Sequence, residues 1–280
     1  VQQGVPRDAL PGVEVLEKIR QLSHRRISAV VQGLVSAMLP FAIAPAAVEC
    51  TATDALPSLL ASGSGFIGKL PWSSSGRGLL DSRKCPPEHF IRQAEGMIHS
   101  QGSFMLEKAY DRVADFAMLF DCDDNGCRFC GYSLFETTAS GQYTGNKLLS
   151  DSAIEQYLGA YVSVDRLHQV RSALELALAK VCRGVYSGPV GVDMLIADTP
   201  QGYLLDATVE INFRMTMGRV AHSLATRYML PGVEASFTVV NGKAPQNCPV
   251  VENGRFVSGT LLLTPPSPYF NFVVDSSPNV

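Results

Sequence analysis

Apolar positions recur along this chain with two periods, one helical and one extended. Over residues 164–182, Leu167, Val170, Leu174, Leu178 and Val181 fall at helical spacing. Gly184 stands just beyond them, where a left-handed cap commonly ends a helix. Residues 13–22, 23–39, 87–100 and 216–228 read as helices too. Ser23 is the expected N-cap of the second, and proline opens the third. A short helix is predicted over 53–61. Strict alternation marks residues 203–213. Leu205, Ala207, Val209, Ile211 and Phe213 share one face, and Asp206, Thr208, Glu210, Asn212 and Arg214 the other. Further strands are predicted over 66–70, 104–107, 115–121, 128–137 and 190–197, and in the tail runs "SFTVV", "GTLLLTP" and "FNFVVD". Turns are expected at Asp123-Asp124-Asn125-Gly126 and Pro200-Gln201-Gly202, and residues 138–149 read as a polar loop. This mixture of hairpins and helices argues for the α+β class rather than a doubly wound parallel sheet.

Composition narrows the picture. The 280 residues are 46% hydrophobic, enough for one large or two small domains. A net charge of −3 gives no basis for binding nucleic acid or a membrane surface. No apolar run reaches the ~18 residues of a spanning helix; residues 37–48 come nearest but contain Pro40 and Pro45. With no visible signal peptide, the expected location is the cytoplasm. The chain opens on Val1 rather than Met, as a fragment or processed protein does. Seven cysteines, an odd set, fit a reducing compartment better than a disulfide framework. Cys122, Cys127 and Cys130 approach a zinc spacing, with Cys85 or His89 as a distant fourth ligand. The simpler expectation is a hairpin with these cysteines on its strands and no zinc.

Two stretches carry candidate chemistry. In "GSGFIGKL", Gly63, Gly68 and Lys69 have Walker A spacing, but Leu70 replaces the hydroxyl that would hold Mg²⁺. Pro71 then opposes the helix a P-loop needs. Lys69 is therefore expected on a strand, with a loop at 73–78. The second stretch pairs "VGVDMLIA" with "YLLDATVEINFRMTMG". With the turn at Gln201-Gly202, Asp193 faces Glu210. Like charges opposed at about 5 Å destabilise a ladder, and a cation between them removes the penalty. Two carboxylates and the Asn212 amide suit Mg²⁺ or Mn²⁺ completed by phosphate oxygens, with Arg214 beside the phosphates. The facing depends on register, since a one-residue slip reverses it.

On these residues the chain, from about Ser23 to Met217, resembles the ATP-grasp superfamily. The likeness is closest to ligases that join a carboxylate to an amine through an acyl phosphate. The resemblance implies two α+β lobes with ATP held between antiparallel sheets. It divides the chain into a helical segment (1–55), a lid-bearing lobe (56–110) and a C-terminal lobe with the metal site (111–280). Lys69 matches a lysine before a flexible lid, and Ser75, Gly76 and Gly78 lie in that lid, whose N–H groups cover phosphates. Arg25 takes the position of a second family lysine. In the hinge "MLEKAY", the Lys108 carbonyl and the Tyr110 N–H meet the adenine edge, with Glu107 nearby, and Asp115 contacts the ribose. Asp193, Glu210 and Asn212 match the metal ligands, and Arg214 and Lys69 the catalytic cations. ATP and Mg²⁺ (or Mn²⁺) are the implied cofactors. The implied partners are a small carboxylate and an amine or other nucleophile, with a homodimer possible. Asp206 has no family role, and residues 140–147 line the acceptor side or are plain surface. The superfamily's N-terminal α/β domain has no counterpart in the residues before Ser23. The alternatives are a phosphotransferase on the same fold and a catalytically silent nucleotide-binding module; the latter needs a damaged metal set, and none is evident.

Overall fold

A computed structural model describes residues 11–73, 78–138, 142–243 and 248–276. The elements run α1 (Val13–Leu22), α2 (Arg26–Met38), β1 (Val48–Cys50), α3 (Leu56–Ala61), β2 (Phe66–Lys69) and β3 (Leu79–Asp81). Next come α4 (Pro87–Gln101), β4 (Phe104–Lys108), β5 (Asp111–Asp123), β6 (Gly126–Thr137) and β7 (Tyr143–Leu148). Then follow α5 (Asp151–Gly159), α6 (Val164–Cys182), β8 (Gly188–Asp198), β9 (Leu204–Asn212) and α7 (Met217–Tyr228). The chain closes with β10 (Ala235–Asn241), β11 (Val250–Glu252), β12 (Arg255–Leu262) and β13 (Phe270–Ser276).

The strands form two antiparallel sheets, one of four in the order β1-β4-β2-β3 and one of nine in the order β11-β12-β13-β10-β7-β6-β5-β8-β9. The class is α+β. Each sheet buries one face against helices. Phe90, Ala94 and Met97 of α4 pack on Phe104 and Leu106 of the small sheet. On the large sheet, Phe116, Met118 and Phe120 of β5 meet Leu167, Val170, Leu174 and Leu178 of α6, the apolar stripe seen in the sequence. The opposite face is covered at one end by α7, where Ala221 packs with Leu148, Phe237 and Val274. Its remaining part mixes apolar residues such as Ala117 and Phe135 with Ser133, Asn146, Asp193, Glu210 and Asn212, and holds the candidate site.

Several expectations change. Ser23 is the C-cap of α1, and α2 begins at Arg26. Within the polar stretch 138–149 lies strand β7, which pairs with β6 and β10. Its alternation is masked by Gly145, where a Cβ would come 2.6 Å from the Phe237 carbonyl oxygen. Cys122 and Cys127 face each other across the β5–β6 ladder and are disulfide-bonded, so the reading against disulfides fails there. An odd cysteine count cannot exclude a bond between neighbours on one hairpin. Cys130 turns away to donate to Asp121 Oδ2 at 3.2 Å. The sulfur that does join the pair is that of buried Cys182, at the end of α6. No helix among the described residues is long and apolar enough to cross a membrane.

Candidate functional site

The site begins with the edge strand β9, which one helix face covers. Arg25, Ser28 and Gln32 recur at helical spacing at the start of α2. Ser28 Oγ accepts from Ile211 N at 3.1 Å, and its carbonyl accepts from Thr208 Oγ1 at 2.9 Å. Gln32 Nε2 donates to the Ala44 carbonyl at 2.7 Å and to Asp206 Oδ1 at 3.2 Å. These polar groups satisfy an edge that is bulged between Asp193 and Leu195. They also fix Arg25 over the strand. Its guanidinium donates to Glu210 Oε2 at 2.8 Å, to the Leu70 carbonyl at 2.9 Å and to Ser73 Oγ at 2.6 Å. Buried Arg25 Nε keeps a spare donor, with no partner among the described residues.

Asp193 stands opposite Glu210 in the β8–β9 ladder. Asn212 Nδ2 donates to Asp193 Oδ2 at 3.0 Å, and Arg214 Nη2 donates to Asn212 Oδ1 at 2.8 Å. Burial, then the neighbouring Glu210 charge, pushes the Asp193 carboxyl up to about 7. The alternation in 203–213 and the turn after residue 200 made this facing legible in the sequence.

Lys69 is 4% exposed on β2, and its Nζ pairs with Glu107 Oε1 on the neighbouring β4 at 2.5 Å. A crevice of about 20 Å³ has Arg25, Gln32, Lys69, Glu107 and Asp206 on its sides. It adjoins a larger cavity between the two sheets, of about 640 Å³, lined by Ile67, Glu107, Lys108, Tyr110, Leu195 and Asp206 among others. No hydrogen bond among the described residues engages the Tyr110 N–H. Burial, then the Glu107 charge, raises the Asp206 carboxyl to about 6. Asp115 accepts from Arg112 at 3.2 Å and from Thr137 Oγ1 at 3.2 Å, one strand from Leu195. Gly78 closes the loop after β2 at φ +68, where a Cβ would lie 2.5 Å from Leu70 Cδ1. Ser75 and Gly76 lie outside the described residues.

A second cavity, of about 260 Å³, opens beyond the Asp193–Glu210 pair. Ser133, Tyr143, Asn146 and Arg214 line it. Tyr143 and Asn146 fall within residues 140–147, read from the sequence as acceptor-side lining or plain surface, though as a loop rather than a strand; Ser133, one hydroxyl in an apolar strand, escaped the sequence reading.

The arrangement gathers hard oxygen donors and cations on both sides of a cleft, a chemistry suited to a metal-bound polyphosphate. No family model and no curated protein matches the sequence. Solved structures match by shape. N5-carboxyaminoimidazole synthetase from Staphylococcus aureus, complexed with ADP, gives a TM-score of 0.55 at 12% identity, covering 94% of this chain and 69% of that one. The biotin carboxylase domain of Hydrogenobacter thermophilus 2-oxoglutarate carboxylase, with MgADP and bicarbonate, gives 0.56 at 13%, covering 94% and 63%. N5-carboxyaminoimidazole ribonucleotide synthetase from Thermus thermophilus gives 0.54 at 13%, covering 95% and 70%. This chain thus spans 63–70% of the length of these three proteins. They are ATP-grasp enzymes, and the likeness shows that the chain has the ATP-grasp fold.

Proposed function

We propose that this chain binds MgATP between its two sheets and uses the γ-phosphate to activate a small carboxylate, which an amine or other nucleophile then attacks. The observation that supports this most is the facing of Asp193 and Glu210, with Asn212 and Arg214 beside them. Arg25 already offsets Glu210, while Asp193 accepts from the neutral Asn212 amide, and two opposed acids still favour a further cation. Asp193, Glu210 and Asn212 would hold Mg²⁺ or Mn²⁺, which offsets phosphate charge when bound. Lys69 and Arg25 reach the same cleft from the other side and would neutralise the triphosphate. The hinge residues Glu107, Lys108 and Tyr110 would hold the base, and Asp115 the ribose. Gly78, with Ser75 and Gly76 before it, would close over the phosphates. Phosphoryl transfer depends chiefly on alignment and charge neutralisation, and Arg214 is placed to stabilise the transferring group. On this reading residues 56–110 act as the lid-bearing lobe and 111–280 as the metal-bearing one. The carboxylate oxygen bonds to the γ-phosphorus as ADP leaves; the nucleophile then bonds to the acyl carbon as phosphate leaves.

Melting temperature with and without MgATP tests the site. Ligand that binds only the folded state raises the parent's melting point by mass action. Asp193→Asn should melt no lower than the parent without ligand, yet lose most of the ligand-dependent rise. Glu210→Gln should lose the rise as well, with a modest drop in ligand-free stability because it gives up the Arg25 ion pair. Two variants that respond fully to MgATP would overturn the metal site.

A further inference from the structure

The cavity of about 260 Å³ beyond the metal-site acids carries a built hydrogen-bonding network. Asn146, 2% exposed, donates from Nδ2 to Ser133 Oγ at 2.6 Å and to the Leu134 carbonyl at 3.3 Å. A carbonyl can only accept, so the amide nitrogen must face Leu134. Asn146 Oδ1 is thereby turned toward the Tyr143 hydroxyl, with which it forms a short contact. Tyr143 must then be the donor in that contact. Its remaining lone pair is left as an acceptor. Ser133 Oγ already accepts from Asn146, so its hydrogen is left to donate. One rigid amide thus sets one donor and one acceptor side by side on the lining of the cavity.

Charge completes the description. Arg214 is the single cation among the described residues that line this cavity; the two acids of the lining, Asp193 and Glu210, are those proposed above to hold the metal. Its two arms donate to Asn212 Oδ1 at 2.8 Å and, more weakly, to the Met215 carbonyl at 3.5 Å, which leaves further N–H groups for an incoming carboxylate. A phosphorylated substrate would bring two further charges with no cation to meet them. A saturated hydrocarbon tail would leave the Ser133 donor and Tyr143 acceptor desolvated and unpaired. An ammonium group donates but cannot accept from Ser133. A hydroxyl or a primary carboxamide does both.

We propose that this cavity takes the substrate carboxylate, and that Ser133, Tyr143 and Asn146 select a small acid bearing a hydroxyl or carboxamide group. The proposal rests on the MgATP reading above and deepens it. Tyr143 and Ser133 touch the substrate; Asn146 positions them.

The test uses the full chain with MgATP, hydroxylamine as the nucleophile that releases phosphate from the acyl phosphate, and four small acids as probes: lactate, succinamate, propionate and phosphoglycolate. Phosphate release is followed as each probe is titrated, alongside melting temperature with MgADP. Lactate and succinamate should half-saturate at concentrations at least about tenfold below propionate, the worth of one well-placed hydrogen bond. Phosphoglycolate should bind no better than propionate. Tyr143→Phe and Ser133→Ala each remove one hydroxyl from the network. Each should erase most of the preference while leaving the MgATP-induced rise in melting point unchanged. Equal responses to lactate and propionate, no response to any probe, or a preference that survives both variants would overturn the proposal. Failure of the parent to respond to MgATP at all would instead overturn the reading on which it rests, and the proposal with it.

Discussion

Asp206 is held by Gln32 Nε2 and by the Thr208 N–H, both on Oδ1, and it keeps its proton to about pH 6. An acid raised in this way binds its proton more tightly when folded than when unfolded. Its contribution is therefore most favourable below the unfolded value of about 3.9. It is lost as pH rises to about 6 and is constant above that. The loss is at most about 3 kcal/mol, since each pH unit is worth 1.36 kcal/mol. Asp206→Asn keeps an acceptor for both donors and removes the charge. It should flatten the decline in stability between pH 4 and 6, as read from urea unfolding at several pH values. A parallel decline in the variant would show that Asp206 is not the titrating group. Lys69 sits a few residues away in space with the opposite problem. Its partner Glu107 has a side chain only 16% exposed, so Lys69→Ala leaves a half-desolvated carboxylate. We expect a cost of roughly 1–3 kcal/mol without ligand, largely recovered in the Lys69→Ala, Glu107→Ala double variant. Strict additivity of the two changes would argue that they do not interact.

At the scale of elements, legibility in the sequence followed periodicity. The stripe Leu167–Val170–Leu174–Leu178 announced α6, and the alternation through Leu205, Ala207 and Ile211 announced β9. Turn chemistry at Asn125-Gly126 announced the β5–β6 hairpin. Elements with mixed environments stayed hidden. In β7, Asn146 is buried in a polar network rather than an apolar core, so no alternation shows. In α5, only Ile154 and Leu158 are buried, too few to set a period. The facing of Asp193 and Glu210 could be read because it depends on one hairpin; Arg25 on Glu210 could not, because it depends on how α2 lies over β9. Gly131 gives an element-scale prediction. At φ +146 it adopts a backbone that side chains resist, and a Cβ there would come 2.1 Å from His222 Nε2. That ring also approaches Asp151 at 3.3 Å, joining α7 to the start of α5. Gly131→Ala should cost about 1–3 kcal/mol, measurable by denaturant unfolding. An unchanged midpoint would mean that α7 shifts freely over β6.

At the scale of the whole molecule, the two sheets meet through residues that also serve the cleft. Arg25 touches the Leu70 carbonyl beyond the small sheet and Glu210 on the large one. Ala44 N donates to the Leu205 carbonyl at 2.8 Å, so the segment from α2 onward is anchored to the large sheet before it enters the small one. The ion pairs Arg25–Glu210 and Lys69–Glu107 therefore have a consequence for how nucleotide enters. Both cations already have internal carboxylates as counterions. On the proposed reading, the phosphates of MgATP would replace those carboxylates, and Glu210 would pass to the metal. The site would then work as an ion exchanger whose displaced ions stay tethered to the chain. Few salt ions are then released to bulk, and release to bulk is what makes polyanion binding steeply salt-dependent. The affinity for MgATP should accordingly change by less than about threefold between 50 and 200 mM NaCl, as measured by titration calorimetry. Glu107→Gln, which frees Lys69 from its resident carboxylate, should make that dependence steeper.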